Sequence, residues 1–292
     1  MRVLMVGGTR FIGAHVAKRL SDKGAAVTVF HRGLSENPVL PSVRHVRDPE
    51  AAYPVTRFPP VLVDADWDLV VHMVMMGEAD AQAAVRAFAG RAGRLVVISS
   101  GDVYRAYGRL TRLEPGPPDP LPLTEGAPLR SVLYPHREQE AALGAYVRDY
   151  EKILAERVLM DSRGLPWTIL RLPKVYGPED NENLATVYGF AKRPSWRWTH
   201  GHVENVAAAI VLAATHPAAA NRVYNVGEAR TPTMGERLAQ LPPRQPVEPP
   251  PFDYAQSIVY DTTRIRSELA YEPVLDETAA MIALARDTLS TR

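Results

Sequence analysis

Short apolar runs alternate with amphipathic segments along the first part of the chain. Residues 3–6 form an apolar run that ends in two glycines. After it, Ile12, Val16 and Leu20 recur at the spacing of one helical face, and Gly24 ends the segment. The pattern predicts a buried strand, a tight turn and an amphipathic helix.

The same alternation continues with three further apolar runs. Buried strands are predicted at residues 25–30, 68–74 and 94–99, with a helix over 78–93 between the last two. Strands that alternate with helices are joined by right-handed crossovers and form a parallel sheet, which binds ligands at the carboxyl ends of its strands. We therefore expect an α/β fold with a doubly wound parallel sheet.

The middle of the chain is less regular. Seven prolines fall within residues 108–137, too many for a central strand or helix, so this segment is predicted to be a long surface excursion. A helix is predicted to resume near Ala141 and run through residue 164, followed by a strand over 167–172. The proline-rich residues 242–251 predict an extended connector.

Composition narrows the classes of function. The 292 residues carry 34 basic and 33 acidic side chains, a net charge of +1, so no overall field attracts nucleic acid or an anionic membrane. The absence of cysteine excludes disulfides, thiolate zinc sites and a cysteine nucleophile. The apolar runs are far shorter than the ~20 residues of a membrane span. We expect a cytoplasmic protein without a metal site.

The first turn has the features of a phosphate-binding loop. Gly7 follows the strand and permits the tight turn, while Gly13, in the first helical turn, permits close packing of helix on strand. The unpaired amides at the helix amino end favour an anion. The cofactor contacts predicted here are Gly7, Thr9, Arg10, Phe11, Ile12 and Gly13.

The end of the second strand bears on the choice of cofactor. A carboxylate about 20 residues past the loop binds the adenosine ribose of NAD. His31 and Arg32 stand there instead, and a cation suits the 2′-phosphate of NADP. Arg10 is predicted to flank the same phosphate or to cover the adenine. We expect NADP rather than NAD; the alternative is that both arginines are solvated surface residues.

Six segments carry a family resemblance. In order they are GGTRFIG (7–13), VVISSGDVY (96–104), YEKILAE (150–156), LRLPKVYGP (170–178), HVENVAAAI (202–210) and VYNVGE (223–228). Together they resemble the extended short-chain dehydrogenase/reductases, the NAD-dependent epimerase/dehydratase family. The resemblance implies a Rossmann-type dinucleotide-binding domain over residues 1–172 and a small C-terminal substrate lobe over 173–292, with 202–228 returning to the Rossmann core.

The resemblance also implies catalytic residues. Ser100 matches the hydroxyl residue that hydrogen-bonds the substrate oxygen. Lys152 matches the lysine that binds the nicotinamide ribose and activates a tyrosine four residues before it. Position 148 holds an arginine instead. Arg148 cannot lose a proton near neutral pH, although it could bind an anionic substrate group.

Several residues are candidates for the missing proton donor. On an ideal helix Tyr150 lies nearly opposite Lys152, and Tyr146 is six residues away, so neither is expected to substitute without a local distortion. Asp102 falls where related dehydratases carry a participating acid, although it could equally cap a turn. Further candidates are Tyr104, for which a structural role is the alternative, and Tyr134 or His136 on the excursion.

The substrate side is less defined. Arg197 and His202 are implied as substrate or lobe contacts, with packing around two tryptophans as the alternative. Only 23 residues separate Pro178 from the segment at 202–206, which favours a small substrate over a nucleotide-sugar. We expect an NADP-dependent oxidoreductase or epimerase/dehydratase-like enzyme that acts by hydride transfer on a small carbonyl or alcohol. The alternative is a noncatalytic NADP sensor or an RNA-associated protein; a homodimer is left open.

Overall fold

The structure is a computed structural model that describes residues 1–34, 43–179, 184–244 and 249–290. The strands in these ranges are β1 (Arg2–Val6), β2 (Ala26–His31), β3 (Arg44–Arg47), β4 (Leu69–His72), β5 (Leu95–Ser100), β6 (Trp167–Leu172), β7 (Lys174–Tyr176), β8 (His200–His202) and β9 (Arg222–Asn225). The α-helices are α1 (Phe11–Asp22), α2 (Pro60–Val63), α3 (Glu78–Phe88), α4 (Arg105–Leu110), α5 (Glu140–Leu143), α6 (Lys152–Asp161), α7 (Ala185–Tyr188), α8 (Val203–Thr215), α9 (Met234–Leu238), α10 (Thr263–Leu269) and α11 (Glu277–Ser290).

Seven strands form one sheet in the order β3-β2-β1-β4-β5-β6-β9. β1 pairs in parallel with β2 on one side and with β4 on the other, and β2 pairs in parallel with β3, as β4 does with β5. The strand order reverses direction at β1, so crossovers cover both faces of the sheet. The predicted doubly wound, Rossmann-type α/β fold is therefore confirmed.

The central strands are apolar because both faces of the sheet are covered. Leu4 on β1, Val70 on β4 and Val97 on β5 are buried in one cluster with Phe88 of α3 and Leu159 of α6. This burial supplies the main driving force for the sheet, at roughly 25 cal/mol per Å² of apolar surface removed from water.

The chain divides into two compact units. The first contains residues 1–100, 132–171 and 210–224, and the second contains 101–131, 172–209 and 225–292. The first unit holds the sheet core. The second holds the two-stranded parallel pair of β7 and β8. The domain boundary predicted at residue 172 stays a prediction.

The helix predicted from Ala141 to residue 164 is interrupted, which corrects that expectation. α5 ends at Leu143, Gly144 follows with a φ of 101°, and α6 begins only at Lys152. Glu151 is extended, with φ −156° and ψ 96°, and its side chain caps α6 by accepting from the Ile153 amide. The segment before Lys152 therefore does not follow helical spacing.

The proline-rich regions differ in how far the structure describes them. α4 enters the predicted excursion, and beyond it the described chain has no strand or α-helix until Arg137, where a short 3₁₀ turn leads into α5. The proline content predicted this irregularity. Of the connector predicted at 242–251, residues 245–248 lie outside the described ranges.

Candidate functional site

The loop between β1 and α1 is shaped by its glycines. Gly7 and Gly8 have φ values of 76° and 104°, which L side chains rarely adopt. A Cβ on Gly13 would lie 2.2 Å from the Gly8 Cα atom, so only glycine permits this approach of helix to loop. Arg10 precedes α1 in an extended conformation and makes no side-chain cap bond. The amino end of a helix favours an anion, because its first amides have no partner within the helix.

A cavity of about 470 Å³ opens beside this loop. Its walls come from the glycine loop, the end of β2, the segment from Ala51 to Val55, and the chain around Val74 and Ile98. The predicted contacts that line it are Gly7, Thr9, Arg10, Phe11, Ile12, Gly13, His31 and Arg32. The structure therefore brings the loop and the β2 end together around one cavity.

The end of β2 is held by an imidazole pair. His31 Nδ1 accepts a hydrogen bond from the Gly33 amide at 3.1 Å, so the proton of a neutral His31 ring lies on Nε2. Nε2 is 2.9 Å from His45 Nδ1 and in this tautomer donates to it. These bonds fix the turn that carries Arg32.

Two arginines lie at this end of the sheet. The Arg32 guanidinium carbon stands 4.6 Å from the ring centroid of Tyr53, which lines the same cavity. Arg47, the last residue of β3, pairs in register with His31. A Cβ on Gly33 would lie 3.6 Å from the Arg47 side chain, so Arg47 reaches the turn after β2. Arg32 therefore lines the cavity, and the aliphatic part of the Arg47 side chain lies beside the turn that follows β2.

The lysine site is built from three elements of the first unit. Lys152, at the first position of α6, is 7% exposed, and its Nζ donates to the carbonyl of Ile98 at 3.1 Å and to the carbonyl of Met75. Ser100 is half-buried at the end of β5, two residues after Ile98. The lysine ammonium thus connects the chain after β4, through Met75, with the end of β5, through Ile98.

Tyr150 and the proton-donor candidates Tyr134 and His136 have defined neighbours in the first unit. The Tyr150 ring centroid lies 5.5 Å from Lys152 Nζ, and the His136 ring lies 5.3 Å from the Tyr150 ring. The Tyr134 ring is stacked under the Arg137 guanidinium at 3.8 Å. Tyr150 is not part of the predicted helix, because α6 begins at Lys152, so the opposite placement expected on an ideal helix does not apply.

The Arg148 guanidinium forms an ion pair with the Glu140 carboxylate. Its guanidinium donates to both oxygens of Glu140, at 2.9 and 2.6 Å, in an exposed bidentate pair. This pairing gives the Arg148 side chain a partner within the chain itself, and its predicted contact with an anionic substrate stays a prediction.

Asp102 and Tyr104 belong to the second unit. Tyr104 is fully buried and its hydroxyl donates to Asn225 Oδ1 at 2.6 Å. Asp102 is buried in a 3₁₀ turn, and its backbone carbonyl accepts from the Arg130 side chain. The bond to Asn225 gives Tyr104 a structural role; the catalytic roles of both residues stay predictions.

Arg197 and His202 also lie in the second unit. Arg197 is exposed and lines a cavity of about 590 Å³ with Arg230 and Arg266. His202 is buried against the Tyr176 ring at 5.3 Å, and its backbone amide donates to Glu277. His202 is thus a packing residue in this unit.

The described ranges contain neither a metal cluster nor a membrane span. No group of three or more histidine, cysteine or acidic side chains has the arrangement of a metal site. In the same part of the chain, no helix has the length and apolar character of a membrane span.

Sequence reasoning missed Arg47 and Tyr53. The segment RHVR of β3 has no apolar run that would predict a strand. Arg47 reaches the turn after β2 through the pairing of β3 with β2. Tyr53 lies in an irregular segment after β3. In the sequence, Arg47 is visible only as a basic residue about 15 positions after Arg32. This spacing does not by itself predict a strand or a place beside Arg32.

Solved structures share this architecture. An X-ray structure of Pal from Bacillus thuringiensis is 15% identical, with 100% of both chains covered and a TM-score of 0.71. The Thermus thermophilus UDP-glucose 4-epimerase in complex with NAD is 19% identical, with 99% of both chains covered and a TM-score of 0.68. MoeE5 in complex with UDP-glucose and NAD is 21% identical over 99% of this chain and 100% of that one, with a TM-score of 0.69. At these identities the likeness is one of fold.

Comparison at the level of sequence gives the family. No curated protein sequence matches the chain. The model of the NAD dependent epimerase/dehydratase family, however, matches residues 3–227, which include the glycine loop, Ser100 and Lys152. The chain therefore belongs to the NAD-dependent epimerase/dehydratase family, with the extended short-chain dehydrogenase/reductase fold that its motifs indicated.

Proposed function

We propose that this protein is an NADP-dependent enzyme that acts by hydride transfer on a small carbonyl or alcohol substrate. The observation that carries the proposal is the end of β2, where Arg32 takes the place of a carboxylate and lies over Tyr53 in the cavity wall. Arg47 supports it, because β3 places the side chain of this second arginine beside the same turn. A phosphate ester favours such a pair of cations, whereas a free ribose hydroxyl does not require them.

The residues present fit a dinucleotide. The close approach of Gly13 to Gly8 and the amino end of α1 at this loop suit a pyrophosphate. Arg32 and Arg47 would hold a 2′-phosphate, and Arg10, which lines the same cavity, would flank it. Lys152, whose ammonium lies at the carbonyls of Met75 and Ile98, would hold the nicotinamide ribose.

The chemistry is divided between cofactor and chain. A bound nicotinamide supplies or accepts the hydride. Ser100 would donate a hydrogen bond to the substrate oxygen, and the positive charge of Lys152 would stabilise negative charge that develops near it. The structural bond of Tyr104 to Asn225 makes this hydroxyl a weaker candidate for proton transfer than those beside Lys152.

The chain length between the family motifs and the charge of the chain bear on the substrate. The short segment between Pro178 and residue 202 supports a substrate smaller than a nucleotide-sugar. The balanced charge of the chain supports a small-molecule substrate rather than a nucleic-acid partner. We also propose that the enzyme is cytoplasmic.

Cofactor titration tests the proposal. The purified chain is titrated with NADPH and with NADH by isothermal calorimetry. Because a charge-assisted hydrogen bond contributes about 1.5–3 kcal/mol, NADPH should bind about tenfold or more tightly. Equal affinity for the two cofactors would contradict the NADP assignment, and binding of neither would contradict the enzyme class.

A further inference from the structure

The start of α6 decides which side chain can pair with Lys152. Glu151 turns the chain out of helical geometry, and its carboxylate accepts from the amides of Ile153 at 3.0 Å and Tyr134 at 2.6 Å. The segment that contains Tyr134 and His136 is therefore fixed to the start of α6, and Tyr150 lies where these two segments meet. Because Tyr150 lies before the helix, helical spacing does not determine the position of its side chain relative to Lys152.

Tyr150 has two functional groups as neighbours. Its ring lies 5.5 Å from the Lys152 ammonium and 5.3 Å from the His136 ring. The Tyr150 side chain is half-buried, so a small molecule can reach it while part of its surface is shielded from water. An ammonium group beside a phenol favours the ionised phenol.

Lys152 connects this tyrosine with the cofactor cavity. Its Nζ donates to the carbonyl of Ile98, and Ile98 lines that cavity. Ile98 lies on β5, three strands away from β2 in the sheet, which corresponds to roughly 14 Å at the usual strand spacing. The Lys152 end is therefore well separated from the Arg32 end, as the two halves of a dinucleotide require.

The neighbouring tyrosines have other surroundings. Tyr146 is 43% exposed and its ring packs against Tyr53 at 6.5 Å. Tyr134 is covered by the Arg137 guanidinium. These contacts leave Tyr150 as the tyrosine best placed beside the lysine.

We propose that Tyr150 is the proton donor of this enzyme and takes the role of the tyrosine that is absent at position 148. This inference rests on the proposed hydride-transfer function. In the reducing direction the carbonyl carbon gains the hydride while the Tyr150 O–H bond breaks and its proton forms the new O–H bond of the alcohol. The dihydronicotinamide is oxidised, the carbonyl is reduced, and the phenolate beside Lys152 recovers a proton from solvent.

Nitration by tetranitromethane tests the pair without a substrate, because this reagent attacks ionised phenols. The chain is treated at neutral pH, and the rate at each tyrosine is followed by peptide mass spectrometry. Tyr150 should be nitrated severalfold faster than the more exposed Tyr146, and NADPH should slow the reaction at Tyr150. Lys152→Met, which keeps the side-chain length but removes the charge, should lower the rate at Tyr150 to that at Tyr146 or below.

A kinetic comparison completes the test. In any carbonyl reduction that the wild type catalyses with NADPH, Tyr150→Phe should lower kcat by about 10²–10⁴, the usual contribution of general acid catalysis, and leave the affinity for NADPH unchanged. Tyr146→Phe is the matched control and should retain kcat. Nitration of Tyr150 no faster than of Tyr146, or a wild-type kcat in Tyr150→Phe, would overturn the proposal. Nitration without cofactor reports on Tyr150 and Lys152 alone, whereas the cofactor titration reports on the proposed function. Failure of the proposed function would therefore appear in the titration and leave the nitration result unchanged.

Discussion

His72 is an imidazole in the apolar centre of the first unit. It ends β4, is fully buried and pairs in register with Val6. Neither of its ring nitrogens has a hydrogen-bond partner among the described residues. Burial, and secondarily the Lys152 ammonium, lower the pKa of His72 to about 3. The ring is therefore neutral near pH 7 and adds no second positive charge beside Lys152.

This burial predicts a pH dependence of stability. The folded chain leaves His72 unprotonated down to about pH 3, whereas the unfolded chain protonates it below its ordinary value of 6.5. The unfolded state then binds more protons, so stability falls as the pH decreases through this window. At about 1.4 kcal/mol per pH unit, the loss from this group reaches about 2 kcal/mol by pH 5.

Urea unfolding at pH 7.5 and pH 5.0 measures the effect. His72→Leu fills a similar apolar volume and removes the titrating group, so its free energy of unfolding should fall by about 2 kcal/mol less between these pH values than that of the wild type. An identical loss in both proteins would show that His72 is protonated in the folded chain.

The start of α6 shows how one side chain sets the limits of an element. Glu151 is fully buried, and its two carboxylate oxygens accept backbone amides from α6 and from the segment at Tyr134. The cap places Lys152 in the first turn and directs the preceding residues away from the helix axis. The position of Tyr150 beside Lys152 is a direct result.

Removing this cap should destabilise the fold. In Glu151→Ala two amides lose their acceptor, and the free energy of unfolding should fall by about 1–3 kcal/mol. Glu151→Gln retains one acceptor oxygen and should lose less. Glu138, an exposed acid in the 3₁₀ turn that starts at Arg137, gives the control Glu138→Ala, which should stay within about 0.5 kcal/mol of the wild type in the same urea titrations. Wild-type stability in Glu151→Ala would show that the cap does not hold α6.

At the scale of the whole molecule, the sequence predicted the features that local pattern determines. The apolar runs of β1, β2, β4 and β5, the glycine loop and α1 all lie where periodicity placed them. The start of α6 was not predictable, because its cap also binds an amide 17 residues earlier. The place of Arg47 was not predictable for a similar reason, because the pairing of β3 with β2 brings its side chain to the turn after β2.

The cofactor assignment is the central claim for the molecule, and charge reversal at Arg32 tests it most directly. Arg32→Asp places a carboxylate where NAD sites carry one and repels a 2′-phosphate. Arg44→Asp is the matched control, because Arg44 starts β3 at the opposite end from Arg47. Calorimetric titration should show NADPH preferred by the wild type and by Arg44→Asp, and NADH preferred by Arg32→Asp. The same order of affinities in all three proteins would contradict the account.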